Sequence, residues 1–104
     1  MANMMTNVEV LRQNDNLSEQ QINQALVWLE HIGYHFETEP YMMFMGNEVG
    51  CYWRKDNHYL SVSFDSAKTS TWIYTNGITF ISGYWRLHET YFPLELQLAM
   101  VFIT

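Results

Sequence analysis

Three observations predict an α+β fold: a well-capped amphipathic helix near the N-terminus, three two-residue turn signals between Tyr41 and Trp85, and an apolar, proline-led C-terminal tail. Together they imply an N-terminal helix packed on a five-stranded antiparallel β-meander, followed by a short C-terminal helix. The chain has 104 residues, 48% of them hydrophobic and 16% aromatic, which suits one domain spanning 1–104 and argues against wholesale disorder. Residues 1–16 read as a partly flexible start. Within them Val8-Glu9-Val10-Leu11 fits a short strand as well as the beginning of a helix, and Asn14-Asp15-Asn16 is a turn.

The helix signal is local and complete. Ser18 is a good N-cap and Gln21 completes a capping box, while Leu17 and Ile22 match the hydrophobic staple. Ile22, Ala25, Leu26, Leu29 and Ile32 then recur at steps of three and four, an amphipathic stripe suited to packing on a sheet. Gly33 suits the position just past a helix, so the spacing predicts a helix from about Glu19 to Ile32. Tyr34 to Pro40 connects it to the sheet.

The turn signals are Gly46-Asn47, Asp56-Asn57 and Asn76-Gly77. Two-residue hairpins need a positive φ at one or both central residues, which these residue types tolerate. The first turn pairs Met42 with Cys51 and Phe44 with Val49; the second pairs Cys51 with Val62 and Trp53 with Leu60. Both assign Met42, Phe44, Val49, Cys51, Trp53, Leu60, Val62 and Phe64 to one inward face. Tyr41, Met43, Tyr52, Arg54, Tyr59, Ser61, Ser63 and Asp65 fall on the other. In the third hairpin Asn76-Gly77 pairs Ile73 with Phe80 and Trp72 with Ile81, so both faces are apolar. Either Trp72, Tyr74 and Ile81 or Ile73, Ile78 and Phe80 must then occupy the second face, which needs a cover or a partner. Gly83 reads as an interruption of the fifth strand, which Tyr84 to His88 continue past a bulge. In the tail, Leu94 to Leu98 alternate like a strand, but Leu94, Leu98, Val101 and Phe102 form a helical stripe led by Pro93. A terminal helix is the favoured reading, placed to cover the second apolar face.

The net charge of −6 is uneven. Asp15, Glu19, Glu30, Glu37, Glu39 and Glu48 lie between Gln13 and Trp53 with no Lys or Arg among them, whereas the rest of the chain is balanced. An acidic surface disfavours direct contact with nucleic acid or anionic membranes and steers basic proteins toward it. Charge of this size also serves simple solubility. No run of 18 apolar residues marks a transmembrane helix, and 1–16 lack the basic and apolar blocks of a secretory signal. One cysteine permits no internal disulfide, so a cytoplasmic, reducing location is expected, with Cys51 a small buried hydrophobe rather than a reactive thiol.

No catalytic kit is evident. His31 and His35 have the i, i+4 spacing of metal ligands, but Gly33 between them reads as a helix end and no third ligand follows nearby. Glu37 and Glu39 resemble a carboxylate pair, yet they lie in a loop without a matched base or nucleophile. There is no nucleophile elbow, phosphate loop or dinucleotide fingerprint, so neither an enzyme nor a cofactor is expected. Tyr52, Arg54 and Tyr59 suggest a stacking platform for RNA, which the acidic total opposes; Arg54 stacked on Tyr59 is explanation enough.

The leading expectation is a small non-enzymatic protein that binds a basic partner, either a toxin or a nucleic-acid-binding effector. Immunity proteins and phage-encoded inhibitors of bacterial defence, such as anti-CRISPR proteins, share this size, acidity and lack of an active site. The contact residues expected are Glu30, Glu37, Glu39, Glu48, Tyr41, Tyr52 and Tyr59. An alternative is a homodimeric assembly module that pairs through the second apolar sheet face. A third is a metal or small-ligand binder using His31, His35 and Cys51.

Overall fold

The computed structural model describes residues 6–87 and 92–104; Met1 to Met5 and the continuation of the fifth strand at His88 lie outside them. The elements in order are α1 (Asn7–Arg12), α2 (Glu19–His35), β1 (Tyr41–Met45), β2 (Glu48–Lys55), β3 (His58–Phe64), β4 (Thr69–Thr75), β5 (Phe80–Arg86) and α3 (Leu94–Ile103). The strands form one antiparallel sheet in sequence order, with β1 and β5 at its edges. The fold is α+β, an N-terminal helical region and a short C-terminal helix around a five-stranded meander.

Val8 to Leu11 join the helix α1. Thr6 caps it, its hydroxyl accepting from the Glu9 amide, and Leu11 is fully buried. In α2 the capping box is present in both directions, worth about 1 kcal/mol. The Gln21 amide also donates to the Asn47 carbonyl, fastening the start of α2 to the β1–β2 turn. Two rows of α2 are used. Ala25, Trp28 and Ile32 are buried, and Leu26 and Leu29 pack with Leu11 and Leu17 nearer α1. Trp28, which the stripe read from spacing omits, is with Trp72 the largest of the fully buried side chains. It stacks on Phe64, meets Trp85 edge-on and donates its indole N–H to the Ser66 carbonyl at 2.7 Å.

Gly33 does not end this helix. The chain stays helical to His35 and is capped at Phe36, whose amide donates to the Ile32 carbonyl. Phe36 is buried against Trp53, with ring centroids 4.4 Å apart. The apolar anchor three residues further on therefore outweighs the local preference of glycine for a helix terminus.

The first two hairpins have the predicted register, with Met42 opposite Cys51 and Trp53 opposite Leu60. Each turn contains one left-handed residue, Gly46 (φ 65°) and Asp56 (φ 56°). The third differs. Ile73 faces Ser82, Tyr74 faces Ile81 and Thr75 faces Phe80, a shift of two from a turn centred on Asn76-Gly77. The Asn76 side chain accepts from the Ile78 and Thr79 amides at 2.9 and 2.7 Å, which builds a four-residue loop instead of a two-residue turn. Because side chains alternate with period two, this slip leaves every residue on its face. Trp72, Tyr74 and Ile81 thus join the core side, and Ile73 and Phe80 the outer side.

No bulge occurs at Gly83, since pairing runs unbroken from Thr69–Arg86 to Thr75–Phe80. The glycine has a packing role: a Cβ here would lie 2.9 Å from Cζ2 of the buried Trp72 indole directly opposite. The C-terminal tail is a helix, but it packs on the same face as α2. Leu96, Ala99 and Ile103 share the core with Trp28, Ile32, Leu60, Val62 and Trp72. Phe102 stacks over His58 and Tyr74, whose hydroxyl lies 2.6 Å from His58 Nδ1. The Lys55 ammonium reaches the Thr104 carbonyl. The stripe Leu94, Leu98, Val101 and Phe102 is the exposed side of this helix, not its buried side.

Candidate functional site

With both longer helices on one side, the outer face of the sheet has no cover among the described residues. Its side chains close it themselves. Tyr41, Tyr52 and Tyr59 form a ladder across β1, β2 and β3, with centroid separations of 5.5 and 5.7 Å. Arg54 sits 5.3 Å above the Tyr59 ring, extending the ladder by a cation–π contact. Met43 completes the patch, its sulfur 3.9 Å from the Tyr59 hydroxyl and its methyl lying over Gly50. Gly50 makes this possible: a Cβ there would be 2.5 Å from the Val62 carbonyl oxygen and 3.0 Å from the Met43 methyl. The five side chains Tyr41, Met43, Tyr52, Arg54 and Tyr59 line one shallow depression. Further along the same face Phe80 and Tyr84 are exposed, and Arg86 lies 5.3 Å above the Tyr84 ring.

The three tyrosines named from sequence are therefore gathered in one place. The four carboxylates are exposed but dispersed. Glu30 and Glu39 border a cleft of about 350 Å³ between α1, α2 and the segment before β1. Glu37 lies beside His35, Phe92 and Met100 near α3. Glu48 lies by the β1–β2 turn with Gln21 and Asp65. Glu39 and Glu48 thus bracket β1, one at each end of the strand that carries Tyr41. Met43 and Gly50 were not among the expected contact residues. Their signal was available in the register, which sets a glycine opposite a methionine on the tyrosine side.

His31 and His35 now share one helix, contrary to the expectation that Gly33 separates them. His35 is stacked on Phe92 at 4.2 Å and meets Trp85 edge-on, and its pKa is lowered, first by desolvation and then by the nearby His31. Cys51 lies in the core under the helices, where burial pushes its thiol pKa upward, away from the thiolate needed for metal or nucleophilic chemistry. Among the described residues no three His, Cys, Asp or Glu side chains are placed to hold a metal ion, and no helix is long and apolar enough to cross a membrane.

Comparison of the chain with protein-family models, with curated proteins and with solved structures found no match.

Proposed function

We propose that the protein is a small non-enzymatic binding module that inhibits a basic, nucleic-acid-handling protein, as immunity proteins and phage-encoded anti-CRISPR-type inhibitors do. It would act in the cytoplasm of the cell that makes it or of one it enters. The observation that carries this reading is the uncovered sheet face with its tyrosine ladder. Tyrosine rings offer contact area at small entropic cost, methionine adapts its shape to a partner, and both are enriched at interface centres. Glu39 and Glu48 at the two ends of β1 would steer a basic partner to this edge, with Glu30 and Glu37 adding to the negative field of the molecule.

The test is an affinity capture from bacterial lysate at low and high salt, followed by binding measurements on the captured protein. A basic partner lost at high salt is expected. Tyr52→Ala with Tyr59→Ala should weaken it by about 2 kcal/mol or more, as central aromatic contacts do. Glu37→Lys with Glu39→Lys should mainly slow association. Unchanged affinity and on-rate in both variants would overturn the reading.

A second reading has its own observation. α3 exposes Leu94, Leu98 and Val101, 57 to 69% open, on the side facing away from the core. An uncovered helix stripe on one side of the sheet and an uncovered sheet face on the other suit a homo-oligomeric assembly module. Sedimentation over a hundredfold concentration range decides it: a rising mass favours the module, and a constant monomer mass removes it.

A further inference from the structure

The cleft that Glu30 and Glu39 border has a feature the tyrosine face does not explain. Gly33 lines it, in the last turn of α2, outside the left-handed φ region and with nothing within 4 Å of where a Cβ would stand. Glycine loses more backbone freedom in a helix than alanine does, and here no turn, close approach or left-handed backbone requires it. A side chain at this lining position would occupy space that the glycine leaves open.

We propose that this cleft binds an organic cation on an aliphatic stem, of the lysine or arginine side-chain kind. The partner supplying it would be the basic protein proposed above, so in its biological form the inference rests on that reading. The floor is apolar, formed by Leu26, Leu29 and Ile32 from α2 and its cap Phe36, with Val8 and Pro40 opposite. Asn7 holds the far wall together by donating from its side chain to the Pro40 carbonyl at 3.0 Å. The mouth is negative from three sources. Glu30 and Glu39 have no ion pair or hydrogen bond to any described residue, and the last turn of α2 adds the negative end of its dipole. The opposing positive end of α1 is already met by Glu9, whose carboxylate accepts from the Thr6 hydroxyl and whose amide donates back to it. An apolar shaft with an unpaired anionic rim matches the methylene stem and charged head of a basic side chain.

The experiment is a two-dimensional NMR titration of the full chain with n-pentylammonium, using 1-pentanol and pentanoate as neutral and anionic counterparts. The amine should move the amides of Leu29, Gly33 and Thr38. The alcohol should bind roughly fivefold more weakly, as expected for losing two exposed ion pairs, and pentanoate more weakly still. Glu30→Gln with Glu39→Gln should remove the preference for amine over alcohol. Gly33→Met, at an exposed helical position, should leave the fold intact and abolish both. Equal binding of amine and alcohol, shifts scattered over the surface, or full amine binding by the methionine variant would overturn the proposal. The amine assay needs no protein partner. A failed lysate capture with a positive titration removes the inhibitor reading alone, and a captured partner with a negative titration removes the cleft alone.

Discussion

On the inner face of the sheet, Cys51, Leu60, Val62 and Trp72 of β2, β3 and β4 are at most 2% exposed beneath two helices; on the outer face Tyr41 of β1 and Phe80 and Tyr84 of β5, on the two edge strands, are more than half exposed. The contrast arises because α2 and α3 both land on the inner side, leaving no long element among the described residues for the other. What limited cover the outer face has comes from side chains lying along it. Ser61, between Tyr52 and Ile73 in the cross-strand row, is only 7% exposed although no helix lies above it. One face is therefore closed by layers and the other by a single course of tyrosine, methionine and arginine. The first should govern stability and the second recognition.

The sharpest way to break that contrast is to truncate one aromatic on each face. Trp28→Ala removes the side chain that links α2 to Phe64, Trp85 and the Ser66 carbonyl, and should cost about 4 kcal/mol. Tyr52→Ala on the outer face should cost less, about 1–2 kcal/mol, since its part-buried ring loses two stacking neighbours but leaves no enclosed cavity. Urea unfolding of both variants checks this, and similar losses would mean the outer face is a core in its own right.

An effect smaller than that of Trp28→Ala is expected at Gly50, where the two faces share a backbone. Adding one methyl as Gly50→Ala drives a Cβ against the Val62 carbonyl oxygen, which cannot rotate away, and should destabilise by about 1–3 kcal/mol. The same change should tilt Met43 off the ladder. Thermal unfolding together with the Met43 methyl resonance separates the two consequences, and an unperturbed methyl would detach Gly50 from the contact surface.

The smallest effect concerns pH at the rim of the inner layer. His35 is exposed at its edge but held between Phe92 and Trp85, and its pKa in the folded chain lies below the usual 6.5. The unfolded chain then binds a proton more readily than the folded one. Stability from this group is full above pH 6.5, falls as the pH drops from 6.5 through the folded-state value, and is flat below it. His35→Gln should flatten this slight slope in denaturant midpoints between pH 7.5 and 5, and an unchanged slope would place the titration elsewhere.

Much of this was legible in the sequence because it is local. Ser18 and Gln21 specify the start of α2 through their own side chains, and Gly46 and Asp56 set two registers that agree on one apolar face. The same alternation put Tyr41, Tyr52 and Tyr59 together, so the centre of the candidate surface was readable too. Where reading failed, a distant contact had overruled a local preference. Gly33 looked like a helix end because the pull of Phe36 on Trp53 is not written in the residues between them. Gly83 looked like a bulge because the indole of Trp72 opposite it belongs to another strand. The carboxylates formed one acidic block along the chain but three separate places in space.

By itself, then, the sequence determined the α+β class, the strand order of the first two hairpins and the tyrosine side of the sheet, since caps, turns and period-two alternation act over a few residues. Tertiary structure alone decided that α3 joins α2 on the inner face and turns Leu94, Leu98 and Val101 outward. A helix that is apolar nearly all round carries no instruction about which side to bury. That choice falls to the shape of the surface it meets, here the hollow between α2 and the Leu60–Tyr74 part of the sheet, which Leu96, Ala99 and Ile103 fill.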